Sequence, residues 1–267
     1  MNLAFTKMHG AANDFVVIDH REPFLPADRS ALIARLADRR RGIGADGVLL
    51  LERDTDTDFA FVYYNADGGE AEFCGNGARC LARFALDLGL GSGDRVRFRT
   101  AVGEKSASRL ADGRIALEFG PVGEPERIRV PVADREFAGS FILAGVPHFV
   151  VPVPCVADVP LEAWAPPLRA HARFGAQGAN VDFVTRAEDG RVYMRTFERG
   201  VEGETLACGS GAIAAALWAV ADGAAAPVTV RTAGGDDLVV SFDAGSGSRA
   251  ATLTGPAVVV FSGRWTE

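Results

Sequence analysis

The sequence predicts an α/β protein in which one unit of strands and helix occurs twice. The chain has 267 residues, a length typical of two small domains. Its 31 glycines and 13 prolines indicate many turns rather than a helical bundle. The motif Cys-Gly-x-Gly-Ala begins at Cys74 and again at Cys208, each time before an apolar helical segment.

The first half alternates strand and helix patterns. Residues 2–7 and 15–18 are predicted as short strands around a turn, and residues 28–40 have the apolar spacing of a helix that Asp28 or Ser30 can cap. The runs VLLLE and FAFVYYN predict buried strands, a second helix follows Cys74, and three strand-like runs come after it. This half therefore has the element order of an α/β unit.

The second half follows a segment rich in proline and charge, residues 121–137, which is the predicted linker. It places the domain boundary near residue 121. Strand patterns cover residues 140–153, and a proline-rich stretch with a short helix near His171 comes next. Two more strands precede the small-residue helix at 208–223, and three strand-like runs finish the chain.

The two cysteine motifs have matched flanks. Gly69-Glu70 lies five and four residues before Cys74, and Gly203-Glu204 lies at the same distances before Cys208. A strand that ends in a polar cluster precedes each motif. We interpret the chain as a pseudo-duplicated unit whose two cysteines are equivalent.

A cysteine at the start of a helix can exchange a proton. The helix N-terminus presents N–H groups without intrahelical acceptors and a partial positive charge, which lower a cysteine pKa and attract an anion. Two such motifs facing each other would hold one carboxylate and flank the adjacent carbon with thiols. One thiol would remove a proton and the other would return one to the opposite face. The sequence therefore predicts a two-base amino-acid epimerase.

Composition and motifs exclude other classes of protein. The net charge of −7 argues against nucleic acid or an anionic membrane as a partner. The chain shows neither a signal-peptide pattern nor an apolar run long enough to span a bilayer, so we expect a cytoplasmic protein with reduced thiols. Cysteine spacings match no zinc site, nucleotide-binding motifs are missing and lysines are scarce, so no metal and no cofactor are expected. Cys80 and Cys155 lie in apolar runs and are interpreted as packing residues.

Six segments carry a resemblance to the diaminopimelate epimerase family. In chain order they are KMHGAANDFVVID, GIGADGVLLLE, YYNADGGEAEFCGNGARC, GVPHFV, NVDFV and FERGVEGETLACGSGA. The two cysteine blocks are highly specific, and the shorter blocks count mainly through their order. Together they span residues 7 to about 216, most of the chain.

The resemblance implies a fold and a reaction. Members have two pseudo-symmetric α+β domains, each a mostly antiparallel sheet wrapped around a central helix, with the active site in the cleft between them. They interconvert LL- and meso-diaminopimelate, a precursor of lysine and peptidoglycan, without metal or pyridoxal phosphate. The implied domains are residues 1–120 and 121–256, with the tail at about 257–267 returning to the first. The expected partner is a small amino-acid substrate, and a homodimer is left open.

The resemblance also assigns roles to individual residues. Cys74 and Cys208 match the acid/base pair, Glu198 matches a residue that holds the reacting ammonium and tunes the thiols, and His148 matches one that assists this tuning. The reacting carboxylate is expected on the backbone N–H groups of Gly75, Asn76, Gly209 and Ser210. Contacts to the substrate are expected from Asn13 and, at its distal amino-acid end, from Asn65, Asn180 and Arg199.

Some positions depart from the family pattern. The common GLGNDF reads GAANDF here, Val146 replaces a frequent asparagine, and Gly47 stands where some members have glutamine. These departures leave the two thiols unchanged. They bear on which substrate the protein binds.

Three alternative functions stay open at this point. One is a sister two-cysteine racemase of another amino acid, such as histidine. Another is a hydrolase or transferase with Cys208 as nucleophile and His148 as base, which leaves Cys74 unexplained. The third is a non-catalytic amino-acid binding protein, in which two thiols would be an oxidation liability.

Overall fold

The computed structural model describes residues 2–243 and 249–266. By their internal contacts the residues form two compact units, Met1–Glu118 with Thr254–Glu267, and Phe119–Leu253. The predicted class, a mixed α+β fold rich in strands, is confirmed. Among the described residues, none of the helices combines the length and the apolar character needed to cross a bilayer.

Strands outnumber helices throughout the chain. Up to residue 122 the elements are β1 (Asn2–Gly10), β2 (Asn13–Asp19), α1 (Ser30–Ala37), β3 (Gly47–Glu52), β4 (Phe59–Asn65), β5 (Glu70–Ala71), α2 (Gly75–Asp87), β6 (Arg95–Thr100), β7 (Gly103–Arg109) and β8 (Ile115–Val122). Then come β9 (Glu126–Val132), β10 (Arg135–Ala144), β11 (Val146–Pro152), α3 (Leu161–Arg169), β12 (Asn180–Arg186), β13 (Val192–Glu198), β14 (Gly203–Thr205), α4 (Gly209–Ala221), β15 (Val228–Arg231), β16 (Asp237–Asp243), β17 (Arg249–Gly255) and β18 (Val258–Thr266). Two short 3-10 turns, Val156–Asp158 and Ala172–Phe174, flank α3.

Strand pairing repeats in the two units. In the first, β1 pairs antiparallel with β2, β2 parallel with β3, and β3 antiparallel with β4; β4 then pairs antiparallel with β5 and parallel with β6, which pairs antiparallel with β7. Strands β10 to β16 repeat this order and these directions. The outer neighbour also matches, because β18 pairs antiparallel with β1 and β9 antiparallel with β10. The duplication inferred from the two cysteine motifs thus extends to the whole sheet.

Each unit wraps its sheet around one helix. Helix α2 packs against β1, β2, β3, β4, β6 and β7, and α4 packs against the matching strands of the second unit. Ala78, Leu81 and Ala85 form the buried stripe of α2. Helix α4 is rich in alanine and is buried almost all round, as an apolar helix at the centre of a sheet must be. Both cysteine helices are therefore held rigidly by their sheets.

Three expectations about local structure are wrong. Helix α1 takes Arg29 as its N-cap without a side-chain cap, because Ser30 is already helical. Residues 126–132 form β9 instead of a linker, since Ile128 and Val130 alternate into the core. Cys155 is exposed at the start of a 3-10 turn instead of buried in a core, whereas Cys80 is buried as expected.

Candidate active site

Both cysteines of the repeated motif are N-caps of the central helices. Cys74 is in extended conformation before α2, and its Sγ accepts a hydrogen bond from the Gly77 N–H at 3.4 Å. Cys208 has the same conformation before α4 and accepts from the Gly211 N–H at the same distance of 3.4 Å. The sulfur thus occupies the position that a serine or aspartate oxygen takes in ordinary N-caps. A negative charge on either sulfur is stabilised there by the N–H donor and the helix dipole.

The surroundings of Cys74 are organised by one asparagine. Asn13 Oδ1 accepts from the Cys74 thiol at 3.6 Å and from Asn76 Nδ2 at 3.3 Å. Asn13 Nδ2 donates to Asp46 Oδ2 at 2.8 Å, so Asp46 fixes which end of the amide faces the sulfur. Arg79, fully buried, donates to Asn76 Oδ1 at 2.9 Å and orders the first turn of α2.

A cluster of charged side chains lies next to Asn13. Asp14 accepts a hydrogen bond from Arg39 at 2.7 Å. It also forms an ion pair with the buried Lys7 at 2.6 Å. Arg39 also pairs with Asp46 at 2.7 Å. Burial raises the pKa of Asp14, but the hydrogen bonds from Arg39 and Lys7 outweigh it and hold that pKa well below its usual range. The carboxylate is therefore a fixed charge near the Cys74 helix.

Cys208 has an acidic environment. Its thiol is 5% exposed and shares a hydrogen bond with the Glu198 carboxylate, which also accepts from Thr205 Oγ1 at 2.8 Å. Burial raises the pKa of Cys208 well above its usual range, and the charges of Glu198 and Asp182 add to the effect. The sequence-based expectation of a lowered pKa is wrong here, because desolvation and two carboxylates outweigh the helix N-terminus. Burial likewise raises the pKa of Glu198.

Behind Glu198 lies a buried polar chain. His148 Nδ1 and Asp182 Oδ2 are 2.7 Å apart, and both side chains are fully buried. Thr196 Oγ1 donates to Asp182 Oδ1 at 2.7 Å. On the other side of the ring, His148 Nε2 lies 3.4 Å from Asn180 Nδ2. The three strands β11, β12 and β13 supply these four residues.

The remaining predicted residues lie at strand ends and in the first helical turns. Gly75 and Asn76 begin α2, while Gly209 and Ser210 begin α4, and Ser210 Oγ lies 3.5 Å from the Cys208 sulfur. Arg199 follows β13; its N–H donates to Asn180 Oδ1 at 2.8 Å and its guanidinium to Gln177 Oε1 at 3.0 Å.

Asn65 ends β4 and is exposed, and among the side-chain hydrogen bonds of the described residues none joins it to Cys74. The structure thus groups Asn13 and Asn76 with Cys74, and Glu198 and Ser210 with Cys208.

Sequence reasoning missed several members of these networks, namely Asp46, Asp182, Thr196 and Thr205. Asp182 had a visible signal, since a charged residue in the apolar strand NVDFV is rarely buried without a partner. The departure at Gly47 has a steric reason, because a Cβ there would come within 2.6 Å of the Tyr63 ring. Across residues 2–243 and 249–266 no group of three His, Cys, Asp or Glu side chains is arranged to hold a metal ion.

Comparison with known proteins gives consistent results. The family profile described as Diaminopimelate epimerase matches residues 5–123 and 140–260. The diaminopimelate epimerase of Aquifex aeolicus is 38% identical, with 99% of this chain and 98% of the relative aligned. That of Aromatoleum aromaticum is 40% identical, with 98% of each chain aligned.

Solved structures with little sequence similarity share the fold. A PhzF-family phenazine biosynthesis protein of Enterococcus faecalis has a TM-score of 0.76 at 14% identity, with all of both chains covered. A hydroxyproline epimerase of Agrobacterium vitis has a TM-score of 0.72 at 19% identity, with 98% of this chain and 92% of that one covered. With the family profile and the relatives above 30% identity, the conclusion is direct: this chain belongs to the diaminopimelate epimerase family.

Proposed function

We propose that the protein interconverts LL- and meso-diaminopimelate by proton transfer at the α-carbon, and that Cys74 and Cys208 are its two acid/base groups. The observation that carries the assignment is the repeated N-cap thiol. Two cysteines accept an N–H at the same distance of 3.4 Å, each at the start of a central helix, in a chain of this family. A packing cysteine has no need of either the cap position or the glycine after it.

Inversion of the α-carbon needs a base on one face and an acid on the other. Cys208 is held protonated by its burial and by two carboxylates, so it acts as the acid in one direction. Cys74 is then the base in that direction, and the roles exchange when the reaction runs backwards. The helix N-termini supply positive potential where charge develops on the substrate carboxylate, which stabilises the carbanion.

The other polar groups bind the substrate. Glu198 receives the reacting ammonium, whose positive charge offsets the cost of ionising this half-buried carboxyl. Asn13, next to Cys74, orients the reacting end. Asn65, Asn180 and Arg199 read the distal amino-acid group, where a guanidinium suits a carboxylate because it binds two oxygens at once.

The test follows solvent deuterium into the α-position of LL- and meso-diaminopimelate. Wild type is expected to incorporate deuterium with inversion. Cys74→Ser and Cys208→Ser are each expected to lose inversion by about 10²-fold or more, the usual contribution of a positioned acid or base. Cys155→Ser, at an exposed cysteine that belongs to neither cysteine helix, is the matched control and is expected to retain activity. Full inversion in either helix variant would overturn the two-thiol assignment.

The same assay identifies the substrate. L-Histidine and L-proline are offered in parallel at the same concentration. Exchange is expected with diaminopimelate alone, because the other two lack a second amino-acid head for Asn180 and Arg199. Faster exchange with either of them would replace the proposed substrate while leaving the two-thiol chemistry intact.

We also propose a homodimer, formed through strand β18. Its residues Val258, Val259, Val260 and Phe261 are 37–55% exposed, an unusual run of apolar side chains for a strand surface. Val260→Asp is expected to convert a dimer to a monomer in analytical ultracentrifugation. Val102→Asp, at a comparably exposed valine in a turn, is the control and should leave the dimer intact. A wild-type monomer would refute the proposal.

The proposed location is the cytoplasm, where thiols stay reduced. Fractionation of the native host, followed by detection of the protein, tests this. Recovery outside the cytoplasmic fraction would contradict it.

A further inference from the structure

The buried chain behind Glu198 contains enough donors and acceptors to fix its own protons. Asn180 Oδ1 receives the N–H of Arg199 at 2.8 Å, and an N–H can only donate. The oxygen of the Asn180 amide therefore faces the backbone, and its NH₂ group faces His148 Nε2 at 3.4 Å. Since an NH₂ group is a donor, Nε2 must be the unprotonated acceptor of the ring.

The other nitrogen of the ring then carries the proton. His148 Nδ1 donates it to Asp182 Oδ2 at 2.7 Å, and the second carboxylate oxygen accepts from Thr196 Oγ1 at 2.7 Å. Asp182 is an acceptor on both sides and is fully buried. Only one arrangement of protons satisfies all of these contacts, and in it Asp182 accepts the ring proton of His148.

We propose that Asp182 is a positioning residue that holds His148 as the Nδ1–H tautomer, so that Nε2 orients the amide of Asn180 for the substrate. This inference rests on the proposed function, because Asn180 is the residue taken to bind the distal amino-acid group. Asp182 acts through His148 and touches no substrate. One N–H of the Asn180 amide donates to the His148 ring, and the other stays available as a donor to the substrate.

The matching positions of the first unit support a specific role. Phe15 pairs with Gly47 as His148 pairs with Asn180, which makes Phe15 and His148 equivalent. The same registers make Leu49 equivalent to Asp182, and Phe15 and Leu49 are both fully buried. The fold is thus built once with an apolar pair at this place and once with a hydrogen-bonded pair of a histidine ring and a carboxylate. Burying a carboxylate is rarely more stable than apolar packing at the same place, which points to a use other than stability.

The direct test is long-range ¹H–¹⁵N correlation of the histidine rings at neutral pH. The chain has four histidines, and His148→Gln identifies the signals of this one. The expected result is a ring protonated at Nδ1 and bare at Nε2. A ring protonated at Nε2, or at both nitrogens, would overturn the proposal. This readout needs no substrate, so it stands or falls independently of the epimerase activity.

Two substitutions separate orientation from stability. Asp182→Asn keeps an acceptor for His148 and can donate to Thr196, so the tautomer and KM are expected to persist. Asp182→Leu copies the residue of the first unit and removes the acceptor, so mixed tautomers and a KM for diaminopimelate raised about tenfold are expected, the equivalent of one hydrogen bond. An unchanged tautomer and KM in Asp182→Leu would contradict the proposal. If that variant does not fold, the wild-type spectrum still tests whether His148 is the Nδ1–H tautomer.

Discussion

The two cysteine helices share a cap but differ in what surrounds it. Each sulfur accepts one N–H at 3.4 Å, and each helix is wrapped by strands in the same order. Around Cys74 the neighbours are the amide of Asn13 and, deeper, apolar Phe15 and Leu49. Around Cys208 they are Glu198 and the buried pair of His148 and Asp182. By strand register, His148 and Asp182 occupy the positions that Phe15 and Leu49 occupy in the first unit.

This difference separates two tasks, which are placing the sulfur and setting the pKa of the thiol. The cap geometry is common to both units and therefore belongs to what the helix start requires. The pKa of the Cys208 thiol is raised by its burial and by the carboxylates of Glu198 and Asp182, and the first unit has apolar Leu49 at the position of Asp182. The repeated motif thus places the sulfur at the helix start, while residues that are not repeated raise the pKa of Cys208.

The largest expected effect comes from copying the first unit into the second. His148→Phe leaves the buried Asp182 without its ring partner and is expected to lower the free energy of unfolding by about 3 kcal/mol. Adding Asp182→Leu restores the apolar pair of the first unit and is expected to recover about 2 kcal/mol. Urea unfolding of the two single variants and the double variant measures this coupling. Additive effects would mean that the two units do not accommodate the same pair.

The glycines three residues after each cysteine are expected to respond differently. A Cβ at Gly211 would lie 2.6 Å from Asp182 Oδ1, whereas a Cβ at Gly77 would lie 3.0 Å from the end of the Leu49 side chain. Gly211→Ala is therefore expected to cost about 2 kcal/mol. Gly77→Ala is expected to be near neutral, because the gain in helix propensity of about 1 kcal/mol offsets a small shift of leucine. Thermal unfolding checks both, and equal losses would remove the distinction.

Asp46 should matter to activity more than to stability. Asp46→Ala removes the acceptor that orients the Asn13 amide beside Cys74. We expect kcat/KM to fall about tenfold, the worth of one well-placed hydrogen bond. Asp112→Ala breaks an exposed ion pair with Arg114 and serves as the control with unchanged kinetics. Unchanged kinetics in Asp46→Ala would show that Asn13 does not depend on this partner.

The turn between β1 and β2 offers a gain in stability. Ala11 and Ala12 have φ angles of 57° and 65°, while the matching turn of the second unit uses Gly145 with a φ of 75°. A left-handed conformation costs a non-glycine residue about 1 kcal/mol. Ala12→Gly is expected to raise the free energy of unfolding by about that amount in urea, and a decrease would contradict the comparison.

The smallest effects concern pH, and their signs are opposite in the two units. The pKa of Asp14 is depressed in the folded state, so its contribution is present above the ordinary carboxyl pKa of about 3.9 and is lost as the pH falls. The pKa of Glu198 is raised, so its contribution is present below about 4.3 and is lost as the pH rises through the folded pKa. Each is expected to stay below about 1 kcal/mol because solvent screens partly exposed groups.

Urea unfolding at several pH values checks these signs. Asp14→Asn should flatten the loss of stability in acid, and Glu198→Gln should flatten the loss above pH about 4.3. A steeper loss in either variant would reverse the assigned sign.

Local sequence patterns predicted the duplicated unit and the cap cysteines, and the family resemblance supplied the architecture of a sheet around a central helix. Apolar periodicity locates α2, a run of small residues locates α4, and the repeated motif gives their first residues. Proline and charge misled at residues 126–132, because only tertiary pairing with β10 shows that Ile128 and Val130 face a core. Asp182 and Thr196 become partners only when β12 and β13 pair, a contact that no short motif contains. For the same reason the raised pKa of Cys208 could not be read from its helix.

The raised pKa of Cys208 also affects how fast this thiol reacts with oxidants. Peroxide attacks the thiolate form of cysteine, so a buried and protonated sulfur reacts slowly. In the second unit the exposed Cys155 is the easier target, and it lies on a 3-10 turn outside α4. A sulfenic acid formed there leaves the helix start undisturbed. The burial and the carboxylates that raise the pKa of Cys208 therefore also slow its reaction with peroxide.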